Sequence, residues 1–335
     1  MKPLPFLLLP SLLCAWAGCL EPEVPPLSPP LPTGGYSVVG RVRTPGAAQD
    51  VVVRDTLAFV AQGEGGLAVL TVADPRRPAL MTVLQEGVRG YATKIAIKDS
   101  AVYVGSGTFG IQVVDVANPR EPYTTVENLG IRPARSLLVF GNFLFASASE
   151  LGVRICEVGF PTQPDLRGGM RPPGYARGMA FTPDSSRLLV ACGELGLAVF
   201  DISEMQDGWG NYRQLAWLDL PGYAEDVAVA GTEPFALLAC GTAGLQVVRF
   251  SDSSGIVPVS FLETGGYAKE IAWRDGTVFM SAETRGLQII SVGDPSAPRL
   301  AGVVETEYAL GLTLEGERIF LADESEGLLV IARQP

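Results

Sequence analysis

The sequence predicts an all-β fold, a seven-bladed β-propeller of four-stranded antiparallel blades, and three observations point there. A glycine-led apolar line recurs seven times at a nearly constant interval. A second line, "GYA" followed by a short β-branched run, alternates with it. The last copy stops three strands into its unit, while a strand-like segment without a partner stands at the other end of the chain.

The first line reads "GLAVLTV" at Gly66, "GIQVVDV" at Gly110, "GVRICEV" at Gly152, "GLAVFDI" at Gly196, "GLQVVRF" at Gly244, "GLQIISV" at Gly286 and "GLLVIAR" at Gly327, with glycines 44, 42, 44, 48, 42 and 41 residues apart. A period near 40 to 45 residues built from short strands is the mark of propeller blades. The second line reads "GYATKIAI" from Gly90, "GYARGMAF" from Gly174, "GYAEDVAV" from Gly222 and "GYAKEIAW" from Gly266. It opens the innermost strand of each blade, where space favours the small alanine and glycine permits a tight approach from the blade before.

In chain order, residues 1–18 read as a signal peptide: Lys2 precedes the apolar run "LPFLLLPSLLCAWAGC", which is too short and too proline-broken for a spanning helix. Residues 19–35 are a tether, since "EPEVPPLSPPLPTGG" holds six prolines and no pattern that could bury a face. Residues 36–335 form the propeller. Blade two divides into "TKIAIKD", "AVYVGSG", "GIQVVDVAN" and "EPYTTVEN", joined by turns rich in Asp, Ser, Gly and Pro. These runs are nearly all apolar instead of alternating, as expected of a sheet packed on both faces. "YSVVGRVRTPGAA", from Tyr36 to Ala48, aligns with "PRLAGVVETEYA" before the seventh unit, so an N-terminal strand is expected to complete the last blade and leave no open edge.

These lines, together with the turns "ADPRRP", "ANPREP" and "GDPSAP", resemble the LVIVD repeat of bacterial and archaeal surface or secreted proteins, over about Tyr36 to Arg333. The strand-terminal Asp of that repeat is kept as Asp115 and Asp201 and replaced by Thr71, Glu157, Arg249, Ser291 and Ala332. "FTPDSSRLLVA" in blade four is similar to the turn of YVTN-type propellers. "WAGC" resembles the lipobox of bacterial lipoprotein precursors, which implies lipidation of Cys19; Trp16 departs from the usual Leu, and Leu20 leaves out the Asp linked to inner-membrane retention. The resemblance implies an outer-membrane or cell-surface lipoprotein of a Gram-negative bacterium, with ordinary secretion as the alternative. It implies a fold and leaves the activity open.

The 335 residues are 47% hydrophobic and 18% charged, with a net charge of -11 and no histidine. The absence of histidine excludes Ser-His-Asp and Cys-His nucleophile systems and any His-ligated metal. The acidic balance argues against nucleic acid. Carboxylate chemistry and oxygen-ligated calcium remain open.

Three sets of candidates follow. The turns between second and third strands carry Glu64, Glu150, Glu194, Glu283, Asp323, Glu324 and Glu326, an acidic rim that reads as a face for cations or a basic peptide, or as solvated turns that keep the protein soluble. The second position after "YA" gives Asp50, Lys94, Ser136, Gly178, Asp226, Glu270 and Gly311 around the channel, where Asp50, Lys94, Asp226 and Glu270 either pair with one another or orient a small ligand. The loop "SEMQDGWGNYRQ" offers Trp209 and Tyr212 for docking, or folds them back on the sheet. Cys192 and Cys240 occupy equivalent places in neighbouring blades, so a disulfide and two separate buried thiols are both open. The combined expectation is a monomeric, non-catalytic display scaffold without a cofactor, touching a membrane only through its lipid and binding a protein partner. A carbohydrate- or lactone-active enzyme using channel carboxylates, and a calcium-stabilised module, are the alternatives.

Overall fold

The computed structural model describes residues 31–205, 211–231, 235–251 and 255–334. They form seven four-stranded antiparallel sheets. Blade 1 runs outward from the axis through Asp50–Arg54, Leu57–Ala61, Leu67–Thr71 and Ala79–Leu84. The inner strands of blades 2 to 6 are Lys94–Lys98, Ser136–Phe140, Met179–Phe181, Asp226–Ala230 and Ile271–Arg274. Blade 7 takes Ala309–Glu315, Arg318–Asp323 and Gly327–Arg333 from the end of the chain and its outermost strand, Tyr36–Val42, from the beginning.

The closing strand behaves as a true fourth strand. In each blade the pairing of third and fourth strands shifts register once, as between Val69 and Leu70 in blade 1 or Ile289 and Ile290 in blade 6. Tyr36–Val42 shows the same irregularity between Val38 and Gly40. Such bulges increase local twist, and a repeated bulge at one height gives all seven outer strands the same sweep. Just before this strand, Thr33 pairs with Gly302 and the Val303 N–H donates to the Pro32 carbonyl at 2.8 Å, so the chain is fastened to blade 6 before it closes blade 7.

The core is a ring of seven apolar clusters, one between each pair of neighbouring blades. Within the second strand of blade 1, Ala58 and Val60 pack towards Phe320 and Val330 of blade 7, while Phe59 and Ala61 pack towards Val102 and Val104 of blade 2. Period-2 alternation survives, but both phases are apolar because both faces of each blade are covered. The seam between blades 6 and 7 includes Tyr36, whose ring meets Phe279 edge-on with centroids 5.4 Å apart.

The turns after the third strands explain their sequence. In "ADPRRP" the Asp74 carboxylate accepts from the Arg76 N–H at 3.0 Å, and Asn118 and Asp294 do the same for Arg120 and Ser296. The strand-terminal Asp has a similar duty: Asp115 accepts from Ala117 N–H at 2.7 Å and Asp201 from Ser203 N–H at 3.0 Å. Thr71 makes the same contact at 3.4 Å, so its hydroxyl stands in for the missing carboxylate.

A chain lacking Tyr36–Val42 loses one strand of blade 7 and exposes the edge of Gly327–Arg333. Its melting temperature is expected to fall by on the order of 10 °C or more, with a new tendency to associate. Thermal unfolding and light scattering check this, and an unchanged melting temperature would refute the closure.

Candidate functional site

The seven inner strands surround an axial channel of about 510 Å³. An innermost strand has a neighbour on one side only, so backbone N–H groups at its inner edge need other partners. Three of the channel residues singled out in the sequence supply them. Asp50 accepts from Ile95 N–H of blade 2 at 3.1 Å, Asp226 from Ile271 N–H of blade 6 at 3.0 Å, and Glu270 from Leu312 N–H of blade 7 at 3.0 Å. Each carboxylate thus fastens its own blade to the next. Lys94 of blade 2 lies 3.9 Å from Asp50 and also pairs with Glu270 of blade 6, so its chain reaches across the axis.

The two glycines in this ring have a physical cause. A β-carbon at Gly178 would fall on Asp226, and one at Gly311 on Asp50. Each Asp therefore sits between a glycine of the preceding blade and an N–H of the following one. Burial raises Asp226 to about 6 against the opposing pull of the Ile271 N–H and Lys94. Asp50 is also raised by burial, against Lys94 and the N–H groups of Ile95 and Val51.

Immediately above lies a layer that the sequence reading missed, carried by the residue directly after "YA" and by the tyrosine itself. Glu225 is buried and accepts from Arg177 Nε at 2.9 Å and from the Tyr267 hydroxyl at 2.8 Å, with Lys269 Nζ 3.6 Å away. Burial works to raise this carboxyl, but Lys269, Arg177 and the Tyr267 hydroxyl overcome it and hold it below its usual value. The Arg177 guanidinium lies 5.2 Å from the Tyr223 ring centroid. Arg135 stands beside them on blade 3, donating to Ser149 Oγ at 3.4 Å.

The tyrosines of the repeated line are seated on the turns of the previous blade. A β-carbon at Gly63 would lie 2.8 Å from the Tyr91 ring, and one at Gly193 2.9 Å from that of Tyr223. Gly63 has φ +58 and Gly193 φ +58, so both positions demand glycine twice over. The same turns are bridged by backbone to the alanine after the tyrosine: Gly63 to Ala92, Ser149 to Ala176, Gly193 to Ala224, Gly241 to Ala268 and Glu283 to Ala309. This places the "GYA" lines and the second-to-third-strand turns on one face, called the upper face below. The "Q" of "GIQ" and "GLQ" serves it too: Gln112 donates to Arg89 O at 3.0 Å and Gln288 to Gly265 O at 3.0 Å.

The acidic turn residues divide into distinct environments. Glu64, Glu150 and Glu194 are exposed. Asp323 is fully buried and accepts from Tyr308, Ser325 and Glu326 N–H at 2.7, 3.0 and 2.9 Å, which makes it a turn brace. Glu326 pairs with Arg41 of the closing strand at 2.7 Å. Glu283 and Glu324 lie near tyrosine hydroxyls, and the Tyr308 and Tyr91 phenols are raised, first by burial and then by these carboxylates. Among the described residues, no group of three or more His, Cys, Asp or Glu could hold a metal ion.

Cys19 and Trp209 lie outside the described residues. Tyr212 is half-buried against Phe200, ring centroids 6.1 Å apart. Cys156, Cys192 and Cys240 are free and buried, with thiols that burial pushes up to about 12. Cys192 and Cys240 belong to different seams.

Comparison with known proteins agrees with this geometry. The LVIVD repeat model matches residues 45–85, 89–126 and 265–306, which span blades 1, 2 and 6 from the approach to the inner strand through the outer one. No curated protein matches the chain. Among solved structures, the WD40 β-propeller domain of Doa1 has a TM-score of 0.65 at 11% identity, covering 90% of this chain and 97% of that one. The computationally designed Ika8 protein has a TM-score of 0.60 at 11% identity, covering 89% and 96%. These likenesses show a shared fold.

The raised Asp226 carboxyl makes a measurable prediction. Between its ordinary value of 3.8 and about 6 the folded state holds a proton that the unfolded chain releases, so stability falls as pH rises through this window. Asp226→Asn keeps an acceptor for Ile271 N–H and removes the charge. The variant is expected to melt above the parent at pH 7.5, with the difference shrinking through pH 6 and closing near pH 4. Parallel curves of melting temperature against pH would refute it.

Proposed function

We propose that this LVIVD-repeat propeller is anchored by lipid at Cys19 to the outer membrane or cell surface of a Gram-negative bacterium. There it catalyses no reaction and displays its upper face rigidly to a protein partner. The observation that carries this reading is the fastening of that face, whose turns are tied by backbone pairs to the adjoining blade. A surface ordered in advance loses little conformational freedom when a partner lands on it.

The chemistry of the face suits a protein with basic groups around an apolar contact. Tyr91 and Tyr175 are 40% and 43% exposed, far more than a core tyrosine, and offer flat amphipathic contact area. Glu64, Glu150 and Glu194 stand exposed around the same face, on turns of blades 1, 3 and 4. The net charge of -11 favours a basic partner and disfavours nucleic acid. The channel carboxylates are poor acid–base candidates in this reading, because Asp50, Asp226 and Glu270 each hold a neighbouring strand.

The test is cross-linking in cells followed by mass spectrometry of captured proteins, comparing the parent with a triple variant, Glu64→Lys, Glu150→Lys and Glu194→Lys. One dominant partner captured by the parent and lost from the variant is the expected outcome; equal capture by both would remove the acidic turns from the interface. In the same cells Cys19→Ser is expected to move the protein from the membrane fraction to the soluble fraction, and unchanged fractionation would sink the anchor.

A further inference from the structure

We infer that the upper mouth of the channel is a binding site for an oxyanion, a carboxylate or phosphate carried on a small molecule. Three cationic side chains converge there, Arg135 from blade 3, Arg177 from blade 4 and Lys269 from blade 6, and among the described residues the one carboxylate ion-paired with any of them is Glu225 of blade 5. Glu225 is shared by Arg177 and Lys269. Arg135 makes no ion pair among the described residues and donates only to the Ser149 hydroxyl, at 3.4 Å. One more negative charge in this layer would leave every cation with a partner.

The layer below does not meet that need. Asp50, Asp226 and Glu270 each accept a backbone N–H, and Lys94 already takes up Asp50 and Glu270. Burial together with neighbouring positive charge holds two of the upper cations below their ordinary values. Lys269 is lowered by burial, Arg177 and Lys94 against the opposing charges of Glu225 and Glu283. Arg135 is lowered by burial and Arg177, with Tyr223 and Glu225 opposing. A bound oxyanion would relieve both.

The mouth is also shaped for such a group. Arg177 is oriented by its pairing with Glu225 and by the Tyr223 ring beneath it, and a fixed guanidinium presents its remaining N–H donors in a planar fork that fits carboxylate or phosphate. The channel volume of about 510 Å³ limits the ligand to a small molecule. Because the whole chain carries -11, its long-range field does not draw anions in, and binding must come from contact pairing in the mouth.

This inference stands apart from the docking reading, since a partner can seat on the turns whether or not the mouth is filled. The experiment is isothermal titration of the full chain with inorganic phosphate and, separately, with succinate, in chloride at fixed ionic strength. Saturable one-to-one binding of either probe is expected, and which one binds identifies the group as phosphate or carboxylate. Arg135→Gln, at a position without an ion pair among the described residues, and Lys269→Gln are each expected to weaken binding about tenfold or more, the loss typical of a charged hydrogen bond. Arg318→Gln on blade 7 is a control that should bind like the parent, and circular dichroism confirms that each variant is folded. Absence of saturable binding by both probes, or binding unchanged in both mouth variants, would overturn the site.

Discussion

The structure depends on how the inner edge of each blade is satisfied. A sheet arranged radially has one edge at the rim and one at the axis, and the axial edge cannot be covered by another strand without filling the channel. A buried backbone N–H without a partner costs about 1 to 3 kcal/mol. Asp50, Asp226 and Glu270 meet that need at three seams, each by reaching from one blade to the strand of the next. Hydrogen bonding at the axis and apolar packing between blades therefore act in the same direction, around the ring instead of along any one sheet. Burial raises Asp226 and Asp50, and the positive charge of Lys94 opposes that shift at both.

From this arrangement the upper face follows. Once inner strands are pinned at their beginnings, the segments leading into them are short of room, and the "GYA" line is the sequence's response. The glycine takes a left-handed conformation, φ +83 at Gly90 and +84 at Gly174; the tyrosine lies over the preceding turn; the alanine pairs with that turn's backbone. Residues one place further on are forced to point into the mouth. Charge accumulates there because Arg135, Arg177, Glu225 and Lys269 hold the same repeat position in four successive blades, 3 to 6, and line one mouth.

Much of the fold was legible in the sequence because propellers write their period plainly. The glycine of each third-strand line, the matching segments at the two ends and the nearly continuous apolar runs each reported a local requirement of the blade. The site was less legible for a geometric reason. A register fixed on the second residue after "YA" found the fastening ring but passed over the first residue, which forms the layer above. Gly178 and Gly311 read as blanks in that ring, whereas they are the space into which Asp226 and Asp50 fit. The turn acids show a different limit. Asp323 and Glu194 both lie between second and third strands, yet Asp323, the last residue of its strand and four places before Gly327, folds inward onto three N–H groups, while Glu194, two places before Gly196 in the turn itself, is exposed.

The seam made by the N-terminal strand gives the molecule a defined path for load. A pull applied upstream of Pro32 meets the bridge from Thr33 to Gly302 and the bond from Val303 to Pro32 before it reaches Tyr36–Val42. Blade 6 therefore bears tension first, and the strand that shuts the ring stays in register until that bridge gives way. The Pro32 and Thr33 pairings act as a strain relief: tugging on the amino end is diverted into the flank of a complete blade before it can unzip the closure.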